Sequence, residues 1–385
     1  MKKRVKMKAI FLTALCTLFI FVSCGNSNNA KQETATENNT AEITPLQLSE
    51  NEKANNYEVV YLVADTGEYI NSEIAQNESG NFGVVYYRDI NQNLNTFNVT
   101  KAGELDEGNI SATSYDNKTL EGNFPSTAYP FVAKIDGKEM TFKAAKTPVT
   151  GARIIEYSYS NVSPESSTNG QRFFQFKTAI FALKNDSKSA NIDKINLDIN
   201  KDFGITDAST FNDLSKLLTA QSLISNKMTP IYDEWVKSDY ISHIENYSSQ
   251  YGIDYLSEKV VSINKMVYEY TGGAHGNYAT VNSVYSLETG NQLKIADLIT
   301  DLKNADLINL VKDKLVKIEG RDANSYSGLD ELSLENNNFY LTSKGLVFTW
   351  GIYEIGPYAI GETRVLIPTE EIKPYLKDEY KTIFE

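Results

Sequence analysis

Two cysteines, two histidines and two tryptophans are all that 385 residues contain of these types. A zinc site draws three or four ligands from Cys, His and carboxylate side chains; here it would be almost wholly carboxylate. A serine–histidine–aspartate triad needs a histidine base, and only His275 is a candidate, since His243 sits in the segment SHIEN, which reads as helical and structural. No G-x-S-x-G nucleophile elbow occurs. No apolar run reaches the ~20 residues of a membrane span. No internal repeat of fixed period is visible. These absences leave a chain with no expected metal or cofactor. Carboxylates are the one catalytic residue type it has in plenty, with 50 Asp and Glu.

The N-terminus decides the expected compartment. MKKRVKMK is a basic stretch and AIFLTALCTLFIFV an apolar run too short to span a bilayer, ending at Ser23-Cys24-Gly25. That order reads as a secretory signal. FVSC resembles a bacterial lipobox, with Phe21 at the usual leucine position. The resemblance implies a signal peptide over 1–23 and a lipid on Cys24. The protein is then expected in the cell envelope, membrane-anchored and facing the periplasm or the outside. Cys16 would leave with the signal, so no thiol remains for a disulfide. Losing Lys2, Lys3, Arg4, Lys6 and Lys8 takes the net charge from −13 to −18. An acidic surface repels phosphate backbones, which argues against nucleic acid and leaves room for a cationic partner.

Residues 25–55 hold no aromatic side chain and few large apolar ones. They cannot bury enough surface to offset the entropy of ordering, so 24–55 reads as a lipidated cysteine and flexible tether. Residues 56–150 read as a small β domain. Its runs YEVVYLV, NFGVVYYR, PFVAKI and KEMTFKA are parted by Asp65-Thr66-Gly67, Glu78-Ser79-Gly80 and Asp136-Gly137, the last a hairpin signal.

From 152 the pattern mixes. ARIIEYSYS and RFFQFKTAIFAL read as strands. Ile192, Ile195, Ile199 and Phe203 fall at helical spacing before Gly204. Phe211, Leu214, Leu217 and Leu218 open a second helix, which the pattern carries past Pro230 to Ile244. Trp235, in that pattern, reads as core. Residues 251–287 are β again. Leu307, Val311, Leu315 and Ile318 line a later helix stopped by Gly320. Two strands flank Ser343-Lys344-Gly345, TRVLI makes a third, and Thr369 reads as the N-cap of a final helix. The expected class is α+β, an antiparallel sheet with helices packed on one face of it, preceded by the small mainly-β domain.

Between the runs VVSINKMVYEY and NYATVNSVYSL lies Thr271-Gly272-Gly273-Ala274-His275-Gly276. Glycine supplies positive φ and allows close approach of another group. The stretch reads either as a bulged hairpin or as a ligand-holding loop, with Tyr268, Tyr270 and Tyr278 around it. Tyrosines suit a binding surface and a sheet face equally. Trp350, on an expected strand, is open to both readings too.

YTGGAHGNY, with the following LETGNQLKIADL, resembles the C-terminal domain of RsiV-type anti-sigma factors. The tail NFYLTSKGLVFTWGIYEIGPYAIGETRVLIPTEEIKPYL matches the same pattern through Tyr353, Glu354, Pro357, Tyr358 and Gly361, with Gly356 where alanine is commoner. Residues 151–250, with INLDIN on a helix, resemble the companion domain of PdaC-type deacetylases, and 251–385 the RsiV-like domain. The resemblance implies an envelope binding or sensing module. Its expected ligand is a lysozyme-like protein or a peptidoglycan fragment. The candidate binding residues are Tyr270, Gly272, Gly273, His275, Gly276, Asn277, Tyr278, Tyr353, Glu354 and Tyr358. The deacetylase chemistry of PdaC-type enzymes sits in a separate domain whose TFDDG and HxxxH motifs this chain lacks. No catalytic residue is assigned. The alternative is a cell-wall glycan hydrolase using Glu269 and Glu354, since a glycosidase needs only two carboxylates at a suitable separation.

Overall fold

A computed structural model describes residues 52–75, 83–99, 109–123, 130–162, 173–237, 244–318, 320–335 and 338–384. The signal segment, Cys24, most of the tether, the Glu78-Ser79-Gly80 turn and His243 lie outside the described residues. The strands of the first half are β1 (Glu52–Ala64), β2 (Tyr69–Ala75), β3 (Gly83–Arg88), β4 (Leu94–Val99), β5 (Asn109–Thr113), β6 (Thr119–Asn123), β7 (Phe131–Ile135), β8 (Lys138–Ala144), β9 (Ala152–Val162) and β10 (Phe173–Leu183). Helices α1 (Ala190–Ile199), α2 (Ser209–Asn212), α3 (Leu214–Thr219) and α4 (Gln221–Lys237) follow. Next come β11 (Ile244–Leu256), β12 (Val260–Tyr270), β13 (Asn277–Ser286) and β14 (Gln292–Leu293), then α5 (Ile295–Leu298) and α6 (Ala305–Leu315). The chain closes with β15 (Phe339–Thr342), β16 (Gly345–Trp350), β17 (Thr363–Pro368) and α7 (Thr369–Ile372).

The fold is α+β and mostly antiparallel. One sheet links β14-β13-β12-β11-β10-β9-β1-β8-β7-β6-β5, with β2, β3 and β4 branching from β1. Local chemistry explains many of its turns. Asp136 and Gly137 both take positive φ, 49° and 75°, as the tight hairpin between β7 and β8 requires. Side chains alternate along β7, with Phe131, Ala133 and Ile135 inward and Val132 and Lys134 outward.

The sheet crosses the boundary expected near residue 150. One edge of β1 pairs with β8 through Leu62–Ala64 and with β9 through Glu52–Val59. Glu52 to Asn55, expected in the tether, pair with Tyr159 to Glu156. A strand edge supplies backbone partners whatever the side chains are, so composition does not report this pairing.

The INLDIN motif has a definite job. β10 pairs with β11 only from Phe173 to Lys177, and in parallel. Beyond that point α1 takes the place of a neighbouring strand. Asn196 accepts from Leu183 N at 2.8 Å and donates to Leu183 O at 2.9 Å. Asn200 does the same with Phe181, at 3.2 and 2.7 Å. Four helical residues rise ~6 Å and two strand residues ~6.7 Å, so an i,i+4 amide pair matches alternate residues of a strand. Both asparagines are fully buried.

Two helix expectations change. The helix through Pro230 ends at Lys237, and Ile244 opens β11 instead; its pairing with β10 outweighs the apolar spacing. Thr369 is the first residue of α7, not its cap; Pro368 precedes it and provides no side-chain bond. Helices also lie on both faces of the sheet rather than one. Ile192 and Ile195 of α1 share one core with Tyr251, Ile253, Val261 and Ile263. Val260 and Val284 face the other way, into a core with α5, α6 and the small sheet β15–β16–β17. Leu307, Val311 and Leu315 of α6 are fully buried there, each contributing ~1.5–3 kcal/mol of transfer free energy. Trp235 and Trp350 are both buried in cores.

Candidate functional site

The two glycine-bearing loops meet. β12 and β13 pair up to Glu269↔Asn277, and residues 271–276 connect them. Gly272 and Gly273 have φ of 96° and 99°, and Tyr270 Oη donates to Gly273 O at 3.0 Å. Gly276 serves space instead: a Cβ there would lie 2.5 Å from the Tyr268 ring. The second loop, 351–362, joins β16 to β17. Its Tyr358 donates to Gly276 O at 2.8 Å and stacks on the His275 ring at 3.8 Å between centroids. Gly276 O also contacts His275 Nδ1 at 3.0 Å. A carbonyl only accepts, so Nδ1 is the donor in this contact.

Tyr278 stands edge-on to Tyr358 at 6.5 Å, and its hydroxyl accepts from Glu362 N at 3.3 Å. Tyr353 packs on Tyr358 at 5.7 Å. Tyr353 is 61% exposed and holds φ at +67°, a conformation that costs a non-glycine residue ~1–2 kcal/mol. Arg321 braces the loop from below through Ile360 O at 2.6 Å and Thr363 Oγ1 at 2.8 Å.

The structure thus gathers His275, Gly276, Tyr278, Tyr353 and Tyr358 into one patch. Gly272 and Gly273 shape its first loop, Tyr270 is tied to Gly273, and Asn277 is exposed where β13 begins. Glu354 turns its carboxylate onto Gly351 N at 2.8 Å. Desolvation by the surrounding loop raises its pKa, opposed by that bond and assisted by Glu362. Glu269 does not join it. Successive strand residues face opposite sides of a sheet, and Tyr268 faces the patch. Glu269 pairs with Tyr247, which packs under α4 against Phe174. Burial and then Glu245 raise the pKa of Glu269 there. Glu269 and Glu354 therefore form no carboxylate pair. Among the described residues, no group of three or more His, Cys, Asp or Glu is placed to hold a metal, and no helix is long and apolar enough to cross a membrane.

A buried charge cluster with no signature in the sequence lies on β11. β11 bulges between Ile253 and Tyr255, and a bulge re-aims its extra residue. Asp254 accepts from Tyr69 Oη at 2.7 Å and Asn264 Nδ2 at 2.9 Å, and lies 3.6 Å from Arg88 Nε. Asn71 takes up the freed backbone of Ile253 on both its N and O. Burial pushes the Asp254 carboxyl up, opposed by Arg88 and by the Tyr69 and Asn264 bonds. No spacing in the sequence links Arg88 to a residue so far along the chain.

Residues 296–370 match the family model described as a protein of unknown function, DUF3298. Residues 296–370 form a DUF3298 domain. The DUF3298 match spans α6, the small sheet and the whole 351–362 loop, whereas the 271–276 loop precedes it. The chain is similar to a DUF3298 family member from Bacteroides fragilis NCTC 9343, at 20% identity over 61% of this chain and 97% of that one, TM-score 0.44. It is also similar to a DUF3298 family protein from Pseudomonas aeruginosa PAO1, at 15% identity over 58% and 94%, TM-score 0.38. No curated protein matches.

Proposed function

We propose that this protein is a cell-envelope lipoprotein, anchored through Cys24, that binds an envelope ligand on the patch of Tyr353, Tyr358, His275 and Tyr278. The observation that carries the reading is Tyr353. A large aromatic ring held exposed on a strained backbone costs the fold stability and gains it no core, and such outliers cluster at functional sites. Rings backed by rings lose little freedom when a partner covers them. The ligand is a lysozyme-like protein, because a net charge of −18 after signal removal steers a cationic partner. A cell-wall glycan is the second reading, favoured by ring faces that suit sugar stacking. RsiV-like and PdaC-like character belong to this proposal and not to the DUF3298 match. Hydrolysis by Glu269 and Glu354 lacks geometric support, since the two side chains are not brought together.

Calorimetric titration of residues 25–385 with lysozyme, then with muropeptides, tests it. Saturable heat is expected, weakened about tenfold or more by Tyr353→Ala and by rising salt. Tyr115→Ala, fully exposed elsewhere, should change nothing. Heat from neither ligand, or equal loss in both variants, would sink the proposal. The anchor is checked separately: labelled fatty acid should enter the full chain and not Cys24→Ala.

A further inference from the structure

A cleft of about 60 Å³ lies between the N-terminal strands, β11–β12 and β17. Two guanidinium groups line it, Arg88 from β3 and Arg364 from β17. Arg88 is only 6% exposed. Each arginine is held from behind by a carboxylate: Arg88 by Asp254, and Arg364 by Glu362, which also accepts from Thr280 at 2.9 Å. Asp254 is aimed there by the β11 bulge and fixed by Tyr69 and Asn264.

Those bonds use part of each fork. A guanidinium has five N–H donors. Arg88 engages Asp254 and Gln92 O, and Arg364 engages Glu362 and Thr280 through Nη2 alone. The other N–H groups have no protein acceptor among the described residues. Beside them Leu94 and Met266 stand 44% and 37% exposed at the cleft wall. Buried ion pairs stabilise less than apolar packing of the same volume, so two pairs around an open cleft call for another use. Positioned forks match a carboxylate. Asp254 and Glu362 offset both positive charges, so the cleft holds an anion through its remaining N–H donors and not through net charge, which disfavours a phosphate dianion more than a monoanion. A space this small admits a ligand of only a few heavy atoms.

We propose that this cleft binds a small monocarboxylate, its carboxylate across Arg88 and Arg364 and its short alkyl end against Leu94 and Met266. The site is separate from the aromatic patch, and neither proposal depends on the other.

The test is thermal denaturation of residues 25–385 in acetate or propionate, with acetamide as the uncharged isostere and sodium chloride holding ionic strength constant. Acetate and propionate should raise the Tm saturably, half-saturating at roughly millimolar concentration, as suits so few atoms. Acetamide should not. Arg364→Gln should raise the half-saturating concentration about tenfold or more. Leu94→Trp, a surface change that covers the cleft, should abolish the effect without touching either ion pair. The proposal falls if acetate and acetamide act alike, if no response saturates, if inorganic phosphate matches acetate, or if Leu94→Trp leaves the response intact.

Discussion

Replacing Asn196 is the sharpest test of the fold. Among the described residues its amide is the only partner of Leu183 N and O on that edge, at 2.8 and 2.9 Å, and both residues are buried. Asn196→Ala strands one donor and one acceptor. Each orphaned buried group costs ~1–3 kcal/mol, so the loss should be about 2–6 kcal/mol, a large share of the ~5–15 kcal/mol that holds a typical domain together. Asn196→Asp keeps the shape and refines the test. Its carboxylate accepts from Leu183 N but faces Leu183 O with no proton to offer. The protonated acid restores that donor, so the folded pKa must rise above the ordinary ~3.9. A raised folded pKa means stability present at low pH and lost as pH rises through the folded value, by at most ~1.4 kcal/mol per pH unit. Urea unfolding followed by far-ultraviolet circular dichroism at pH 5 and pH 8, each variant against wild type, reads both effects. The reasoning fails if Asn196→Ala loses under ~1 kcal/mol, or if Asn196→Asp shows the wild-type pH profile.

Two further outcomes are expected. Burial, with help from Glu156 and against Lys177 and the Tyr86 bond, pushes the Glu73 carboxyl up to about 8. Its contribution is complete below the unfolded pKa near 4.5 and is lost as pH rises toward 8; urea midpoints should fall across that window in wild type and flatten in Glu73→Gln, and parallel profiles would refute the assignment. Gly345 has φ of +146° and its Cβ position lies well inside contact distance of Ile367 O, whereas Gly273 has φ of +99° and open space around it. Gly345→Ala should therefore cost about 2–5 kcal/mol, combining strain and overpacking, and Gly273→Ala about 1 kcal/mol; scanning calorimetry showing the reverse order would contradict the geometry.

Much of this was legible along the chain, for local reasons. Asp136-Gly137, Gly204 and Gly320 mark turns because positive φ is a property of one or two residues. The face of α6 shows in Leu307, Val311 and Leu315 because helical spacing is periodic. The glycine loop after β12 is legible between two β runs, but its being a turn or a site is not, since the contact with Tyr358 depends on a segment 82 residues later in the chain. Glu269 and Glu354 looked equivalent beside their motifs; only strand alternation and the course of β16–β17 separate them. INLDIN read as an ordinary helix, and its buried asparagines gained a purpose only where β10 and β11 part.

The sequence by itself determined the class of the fold, most element positions, the scarcity of metal-ligating side chains and the acidic charge, because each follows from composition or from spacing within a few residues. Tertiary structure alone decided that β1 joins the N-terminal strands to the rest, that His275 meets Tyr358 and that Arg88 and Arg364 share a cleft. Such contacts form between residues with no common period or motif, and burial, not local propensity, selects them.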